Sequence, residues 1–170
     1  MKISVFAVGR MKTGPEKELA DRYFERFSKS GPAVGLEFSG LVEIPESRAQ
    51  GVTERKRDEA DRLRQQLAAG AALILLDERG KSVSSQDFAG RIAALRDGGR
   101  RALLIAIGGP DGHDPTLHET AELVVSFGAQ TWPHQMVRIM LAEQLYRTAS
   151  PLQICSVPQP FVPSFRASKP

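Results

Sequence analysis

The sequence lacks most of the features that mark secreted, membrane or metal-binding proteins. Its single cysteine, Cys155, allows no internal disulfide and gives no metal-ligand spacing. Its longest fully apolar runs, 71–76 and 102–107, are far too short to span a bilayer. The first residues lead directly into a strand-like segment, without the pattern of a signal peptide. We therefore expect a cytoplasmic protein with no membrane partner and no metal.

The motifs of several common enzyme classes are incomplete. The Gly-Lys-Ser run at 80–82 is typical of the end of a phosphate-binding P-loop, but Leu75 stands where the first glycine is required. The sequence contains no Gly-x-Gly-x-x-Gly fingerprint and no Gly-x-Ser-x-Gly elbow. We therefore interpret 80–82 as a plain turn. The sequence motifs typical of hydrolytic, redox and kinase-like enzymes are incomplete or missing.

The histidines do not form a metal-ligand pattern either. His118 and Glu119 begin a zinc-protease motif, but Glu122 occupies the position of its second histidine. His113 lies five residues before His118, and no third ligand is evident. We interpret His113 and His118 as loop histidines.

The remaining composition is that of a globular domain with a basic bias. Hydrophobic residues make up 41% and charged residues 25% of the 170 positions, and the formal net charge is +3. From residue 134 onward the charged residues are Arg138, Glu143, Arg147, Arg166 and Lys169. This local excess suits an anionic partner such as RNA, although a solvated basic surface explains it equally well. The Arg-Lys-Arg run at 55–57 could contact phosphate, but the acidic residues after it are more typical of a solvated helix face.

Strand-like and helix-like segments alternate along the chain. The hydrophobic pattern predicts strands at 3–8, 36–44, 73–77, 102–107 and 123–127. It predicts helices at 15–29, 53–66, 84–97, 115–122 and 133–149. This order predicts an α/β fold in which helices cover both faces of a mostly parallel sheet of five to six strands. We expect a single domain over residues 1–150, followed by a proline-rich tail over 151–170.

Two loops near the end of that domain predict a binding site. The strand at 102–107 runs into the glycine-rich segment 108–112, and the segment 127–138 is a short loop that opens a helix. Loops at strand ends, each followed by a helix, are where α/β sheets bind small molecules. Glycines also let the backbone approach a ligand closely, although segment 108–112 alone is equally typical of a structural turn.

Taken together, three segments resemble the ribosomal RNA large subunit methyltransferase H family, part of the SPOUT superfamily of trefoil-knotted methyltransferases. These segments are 107–112, 131–138 and 142–147, and the start of the chain and the turn at 76–81 match as well. The resemblance implies a homodimer with a C-terminal trefoil knot. It also implies an S-adenosylmethionine-dependent enzyme that methylates N3 of a pseudouridine in helix 69 of 23S rRNA.

The resemblance also implies roles for individual residues. Cofactor contacts fall on Leu76, Gly108, Phe127, Gly128, Ala129, Gln130, Thr131 and Trp132. His134 and Arg138 become the catalytic candidates. His134 would accept a proton or contact the base, and Arg138 would hold RNA phosphate or the uracil anion. Both residues could instead have structural roles. In that case His134 forms local hydrogen bonds and Arg138 forms an ion pair. Tyr146 and Arg147 are candidates for contacts with RNA or the partner subunit.

The resemblance ends at the C-terminus. The family closes with a short His-Pro-Tyr-His-Arg tail that takes part in catalysis, and residues 151–158 contain none of it. We therefore expect cofactor binding with weak or absent turnover. One alternative is a catalytically weak or inactive relative that binds RNA or the ribosome. A second is a nucleotide- or phosphate-binding α/β protein built around 108–112.

Overall fold

The computed structural model describes residues 1–150, and the predicted proline-rich tail lies outside the described residues. The elements, in order, are β1 (Lys2–Val8), α1 (Pro15–Ser30), a short 3-10 helix (Gly31–Val34), β2 (Glu37–Ile44), α2 (Val52–Gln66), β3 (Ala72–Ser82), α3 (Ser85–Asp97), β4 (Ala102–Ile107), α4 (Pro115–Thr120), β5 (Leu123–Ser126) and α5 (His134–Thr148). This alternation agrees with the predicted order of strands and helices.

The five strands form one parallel sheet in the order β2-β1-β4-β3-β5. The predicted parallel α/β fold is therefore confirmed. β4, most of β1 and the first half of β3 are apolar because both faces of the sheet are covered there. Since parallel strands end at the same edge, the loops that follow β3, β4 and β5 come together there.

Helices cover both faces of the sheet, as predicted. On one face Ile3 and Val5 pack with residues of α1, α3 and α5, and on the other Phe6 and Val8 pack with residues of α2 and α4. This division follows from the alternating direction of side chains along β1. On the first face, α5 packs against α1 and α3, and Leu141 is fully buried there. No helix within residues 1–150 is long and apolar enough to cross a membrane.

Two of the predicted helix starts show their capping hydrogen bonds. The Ser84 hydroxyl accepts a hydrogen bond from the Asp87 amide at 3.1 Å. Asp114 Oδ1 likewise accepts one from the Thr116 amide at 2.9 Å. Both bonds satisfy amides that have no partner within the first turn of a helix. The second cap fixes the direction in which the chain leaves the glycine-rich segment.

β3 extends beyond the predicted strand and crosses closely over β5. Val125 pairs with Leu76 and again with Lys81, so the residues between them leave the ladder and pass over the strand. A Cβ on Gly80 would lie 2.6 Å from the carbonyl carbon of Val125 and 2.8 Å from that of Val124. The interpretation of 80–82 as a plain turn misses this contact, because no sequence pattern records which distant strand a turn crosses. The C-terminal knot stays a prediction, and this crossing is compatible with it.

Replacing Gly80 by alanine tests the crossing. The added Cβ would meet backbone carbons at 2.6–2.8 Å, and no rotamer change relieves such a contact. We expect Gly80→Ala to lower the free energy of unfolding by about 1–3 kcal/mol in urea denaturation followed by circular dichroism. Gly90→Ala in α3 is the matched control, since a Cβ there meets nothing within 4 Å and alanine favours helix. Equal stability of the two variants would contradict the close crossing.

Candidate active site

A large cavity opens where the pairing between β3 and β4 ends, beside the ends of β4 and β5. Its volume is about 460 Å³, within the range of sites that bind small molecules. Three segments supply most of its walls: residues 76–79 within β3, residues 107–113 at and after the end of β4, and the loop between β5 and α5. The two loops expected to form a site from the sequence therefore meet in space, and residues 76–79 of β3 form the third wall.

Most of the predicted cofactor residues line this cavity. They are Leu76, Gly108, Phe127, Gln130, Thr131 and Trp132. Gly128 and Ala129 lie in the same loop but do not line the cavity. The structure thus brings the predicted set to one place, and the contact of each residue with a cofactor stays a prediction.

The glycine-rich segment forms a tight turn against the sheet. The Gly112 amide donates a hydrogen bond to the Gly109 carbonyl at 2.9 Å, and Gly112 has φ +79°, a conformation that favours glycine. A Cβ on Gly109 would lie 2.8 Å from Glu59 Oε2 and 3.0 Å from a methyl carbon of Val8. Glu59 is buried and accepts a hydrogen bond from the Ser47 amide at 2.9 Å, and burial raises its pKa. A side chain at position 109 would therefore require Glu59 and Val8 to shift at this close approach between the turn, α2 and β1.

An ion pair joins the same turn to α2. Arg55 Nε donates to one carboxylate oxygen of Asp111 at 2.6 Å, and a terminal guanidinium nitrogen donates to the other at 3.1 Å. The hydrogen bond from Arg55 lowers the pKa of Asp111. The charge pattern predicted a solvated helix face for 55–57, and for Arg55 that prediction is wrong. No local pattern pairs residues that lie 56 positions apart.

His113, His118 and Asp77 also line the cavity, and no sequence motif had identified them as functional residues. His113 Nε2 lies 3.1 Å from the Leu76 carbonyl, and burial lowers the His113 pKa to about 4. His113 is therefore neutral at pH 7. His118 Nε2 lies 3.3 Å from Asp77 Oδ2, while Asp77 Oδ1 accepts the Arg79 amide at 2.9 Å. Position was the sequence signal that could have identified them. Asp77 directly follows the apolar run 71–76, and His113 directly follows the glycine-rich segment 108–112.

These side chains do not form a metal centre. No group of three or more histidine, cysteine, aspartate or glutamate side chains within residues 1–150 is arranged to hold a metal ion. The two histidines form an edge-to-face pair with ring centroids 6.2 Å apart. Their bonds to Leu76 and Asp77 tie α4 and the glycine-rich turn to the end of β3.

The loop between β5 and α5 forms the far wall of the cavity. Trp132 Nε1 donates a hydrogen bond to the Phe127 carbonyl at 3.3 Å, and the indole remains 37% exposed. His134, the first residue of α5, is half-buried and lines the cavity. Burial, together with the nearby charge of Arg138, lowers the pKa of His134. Its imidazole is therefore neutral at pH 7 and able to accept a proton.

The side chain of Arg138 points into the interior of the protein. Its side chain is 2% exposed, and one terminal nitrogen donates to Glu43 Oε1 at 2.8 Å. The other terminal nitrogen donates to the carbonyls of Val8 and Gly9 at 3.0 and 2.5 Å. Arg138 does not line the cavity. This geometry is that of a structural ion pair, so the expected contact of Arg138 with RNA has no support in this conformation.

The side chains of Tyr146 and Arg147 also make contacts within the described fold. The ring of Tyr146 lies 6.2 Å from that of Tyr23, and the Arg26 guanidinium stands over both rings at 5.6–5.7 Å. Arg147 bonds Glu143 one turn earlier on α5 at 2.5 Å. Their contacts with RNA or a partner subunit stay predictions.

The buried position of Arg138 predicts a large effect on stability. Arg138→Ala leaves two carbonyls and Glu43 without their donor, so we expect the free energy of unfolding to fall by about 3 kcal/mol. Arg147→Ala, which removes a more exposed pair on the same helix, should cost less than about 1 kcal/mol. Urea denaturation of both variants measures the difference. Similar stability of the two variants would show that the Arg138 side chain is not held inside.

The relatives of the chain agree with these features. The family model described as "Predicted SPOUT methyltransferase" matches residues 1–153. A ribosomal RNA large subunit methyltransferase H from Mesorhizobium japonicum is 71% identical over 150 residues, which cover 88% of this chain and 94% of the relative. A protein of the same name from Brucella anthropi is 62% identical over 150 residues, with the same coverage of both chains.

The similarity of this chain to a solved structure is much weaker than its similarity to these relatives. The SpoU methyltransferase AviRb from Streptomyces viridochromogenes, in complex with the cofactor AdoMet, aligns with a TM-score of 0.39 and 12% identity. The alignment covers 89% of this chain and 61% of AviRb, and a score this low supports no conclusion. The family model and the high-identity relatives are sufficient without it. The chain belongs to the SPOUT methyltransferase family, among the ribosomal RNA large subunit methyltransferase H proteins.

Proposed function

We propose that this protein transfers a methyl group from S-adenosylmethionine to N3 of a pseudouridine in helix 69 of 23S ribosomal RNA. The observation that supports this most directly is the cavity, because two of the segments that resemble the family, 107–112 and 131–138, meet there with residues 76–79. The identity of 71% to a named ribosomal RNA methyltransferase supports the same function. We also propose that residues 1–150 act as one domain, in the cytoplasm.

The cavity suits S-adenosylmethionine in both size and chemistry. Phe127 and Trp132 offer aromatic walls for an adenine ring, and the turn at 108–112 presents closely packed backbone. Asp77 offers a carboxylate, which suits hydroxyl groups or a cation. No metal is needed, because methyl transfer from a sulfonium is mainly a matter of alignment.

In this mechanism the protein positions the two reactants and removes one proton. Bound S-adenosylmethionine supplies a methyl group on a cationic sulfur. N3 of the base must lose its proton before its electron pair can form the new carbon–nitrogen bond, and the electrons of the broken carbon–sulfur bond remain on sulfur. We propose that neutral His134 accepts the N3 proton and later releases it to water. Arg138 contributes by fixing the first turns of α5, on which His134 stands.

A homodimer is part of the proposal. Trp132 and Met136 are 37% and 38% exposed and lie within four residues of each other at the start of α5. Large apolar groups beside a cavity are suited to a partner surface. A second subunit there would also shield the cavity from water.

Two alternatives remain as outcomes of the test. A catalytically weak relative would bind S-adenosylmethionine and ribosomes without transferring the methyl group. A nucleotide- or phosphate-binding protein would use the turn at 108–112 for phosphate and leave the segment at 131–147 without a role. The naming of the high-identity relatives as methyltransferases favours neither alternative.

Binding and transfer can be measured on the same preparation. Trp132 is the only tryptophan and lines the cavity, so its fluorescence reports occupancy. We expect saturable quenching by S-adenosylmethionine, confirmed by calorimetry, and no change with inorganic phosphate. With unmethylated 70S ribosomes and a labelled methyl group, we expect label at the helix 69 pseudouridine, located by mass spectrometry. Binding without label would indicate the weak relative, and a preference for phosphate would indicate the second alternative.

Replacing His134 tests its proposed role as proton acceptor. We expect His134→Ala to reduce the single-turnover rate of methyl transfer about a hundredfold while the Kd for S-adenosylmethionine stays near that of the parent protein. Gln135→Ala, at the exposed neighbouring position outside the cavity, is the matched control and should keep its rate. An unchanged rate in His134→Ala would exclude His134 as the acceptor.

A further inference from the structure

The glycine-rich turn has a single side chain able to anchor it by hydrogen bonds. Gly108, Gly109 and Gly112 have no side chain, and that of Pro110 is apolar. Asp111 is therefore the one residue of the turn whose side chain can be hydrogen-bonded from outside. Both of its carboxylate oxygens are bonded to Arg55.

The same guanidinium reaches a third segment of the chain. A terminal nitrogen of Arg55 donates to the carbonyls of Ala49 and Gln50, at 3.2 and 3.0 Å. One rigid, planar group thus joins the loop before α2, α2 itself and the turn after β4. A bidentate arginine–carboxylate pair fixes orientation as well as distance, which an ammonium group does not.

Arg55 and Asp111 stand in different relations to the cavity. Asp111 lines it, whereas Arg55 does not. The donors of Arg55 are engaged by Asp111, Ala49 and Gln50, so Arg55 is not placed to bind a ligand directly. The side-chain contact that links Arg55 to the cavity is its pair with Asp111.

We infer that Arg55 is a positioning residue for the methyl donor, and that its ion pair with Asp111 holds the turn at 108–112 in the shape that binds S-adenosylmethionine. The identity of the ligand rests on the proposed function, whereas the role of the pair in shaping the turn does not. Without the pair, the turn samples other conformations and only a fraction of molecules is competent to bind. The apparent Kd rises by the inverse of that fraction, without any loss of a direct contact.

Titration of the full chain with S-adenosylmethionine, followed by Trp132 fluorescence, tests the inference. If the turn is competent about a tenth of the time, Arg55→Ala raises the Kd about tenfold. Arg55→Lys should be intermediate, because lysine keeps the charge but loses the bidentate geometry. Arg55→Ala/Asp111→Ala should bind no more weakly than Asp111→Ala alone, since Arg55 acts only through Asp111. Arg62→Ala is the matched control, because Arg62 pairs with Asp58 within α2 and should leave the Kd unchanged.

Hydrogen exchange separates this inference from the proposed function. In the free protein, amides at 109, 111 and 112 should exchange faster in Arg55→Ala than in Arg62→Ala, whatever the ligand. Failure of the parent protein to bind S-adenosylmethionine would overturn the proposed function, and the exchange comparison would still test the pair. If Arg55→Ala does not fold, Asp111→Asn provides the same measurements. An unchanged Kd and unchanged exchange in the folded variant, or equal weakening by Arg62→Ala, would overturn the inference.

Discussion

The close passage of the chain at Gly80 over β5 is the constraint on which the candidate active site depends. It holds β5 at the edge of the sheet beside β3, with Val125 paired to Leu76 and to Lys81. Because β3 also pairs with β4, the ends of all three strands are fixed side by side. The cavity is the space left between the loops that leave those ends. Its shape is therefore a consequence of strand order and of one glycine contact.

Two arginines then tie the surrounding loops to the sheet and helices. Arg138 connects the start of α5 to the end of β1 and to Glu43 on β2, while Arg55 connects α2 to the glycine-rich turn. Both groups make several hydrogen bonds, which offset much of the cost of removing them from water, although Nε of Arg138 is buried without a partner within the described residues. In this arrangement charged residues near the site are used to hold backbone in place. The cavity itself is lined by histidines, aromatic rings and charged side chains, which include Lys56, Asp77, Glu78, Arg79 and Asp111.

The sequence predicted the sheet, the helices and most of the cavity residues, because those features depend on local patterns. Apolar runs bounded by glycine predicted the central strands, and the segments around Gly108 and Trp132 predicted the site. The failures share one cause, which is contact between residues far apart in the chain. The partners of Arg55 and Arg138 could not be identified because they lie 56 and 95 positions away, and a contact of Arg138 with RNA stays a prediction. The crossing at Gly80 was not predicted for the same reason, because the sequence of a short segment does not specify which distant strand it packs against.

The most direct test of this account is an NMR titration of the ¹⁵N-labelled protein with S-adenosylmethionine. The account predicts that amide shifts change together in the three segments that line the cavity: 76–79, 107–113 and 126–134. Amides of β2, at the opposite edge of the sheet from β5, should keep their positions. Shifts confined to one of the three segments, or centred elsewhere on the protein, would contradict the claim that the strand ends form a single cofactor site.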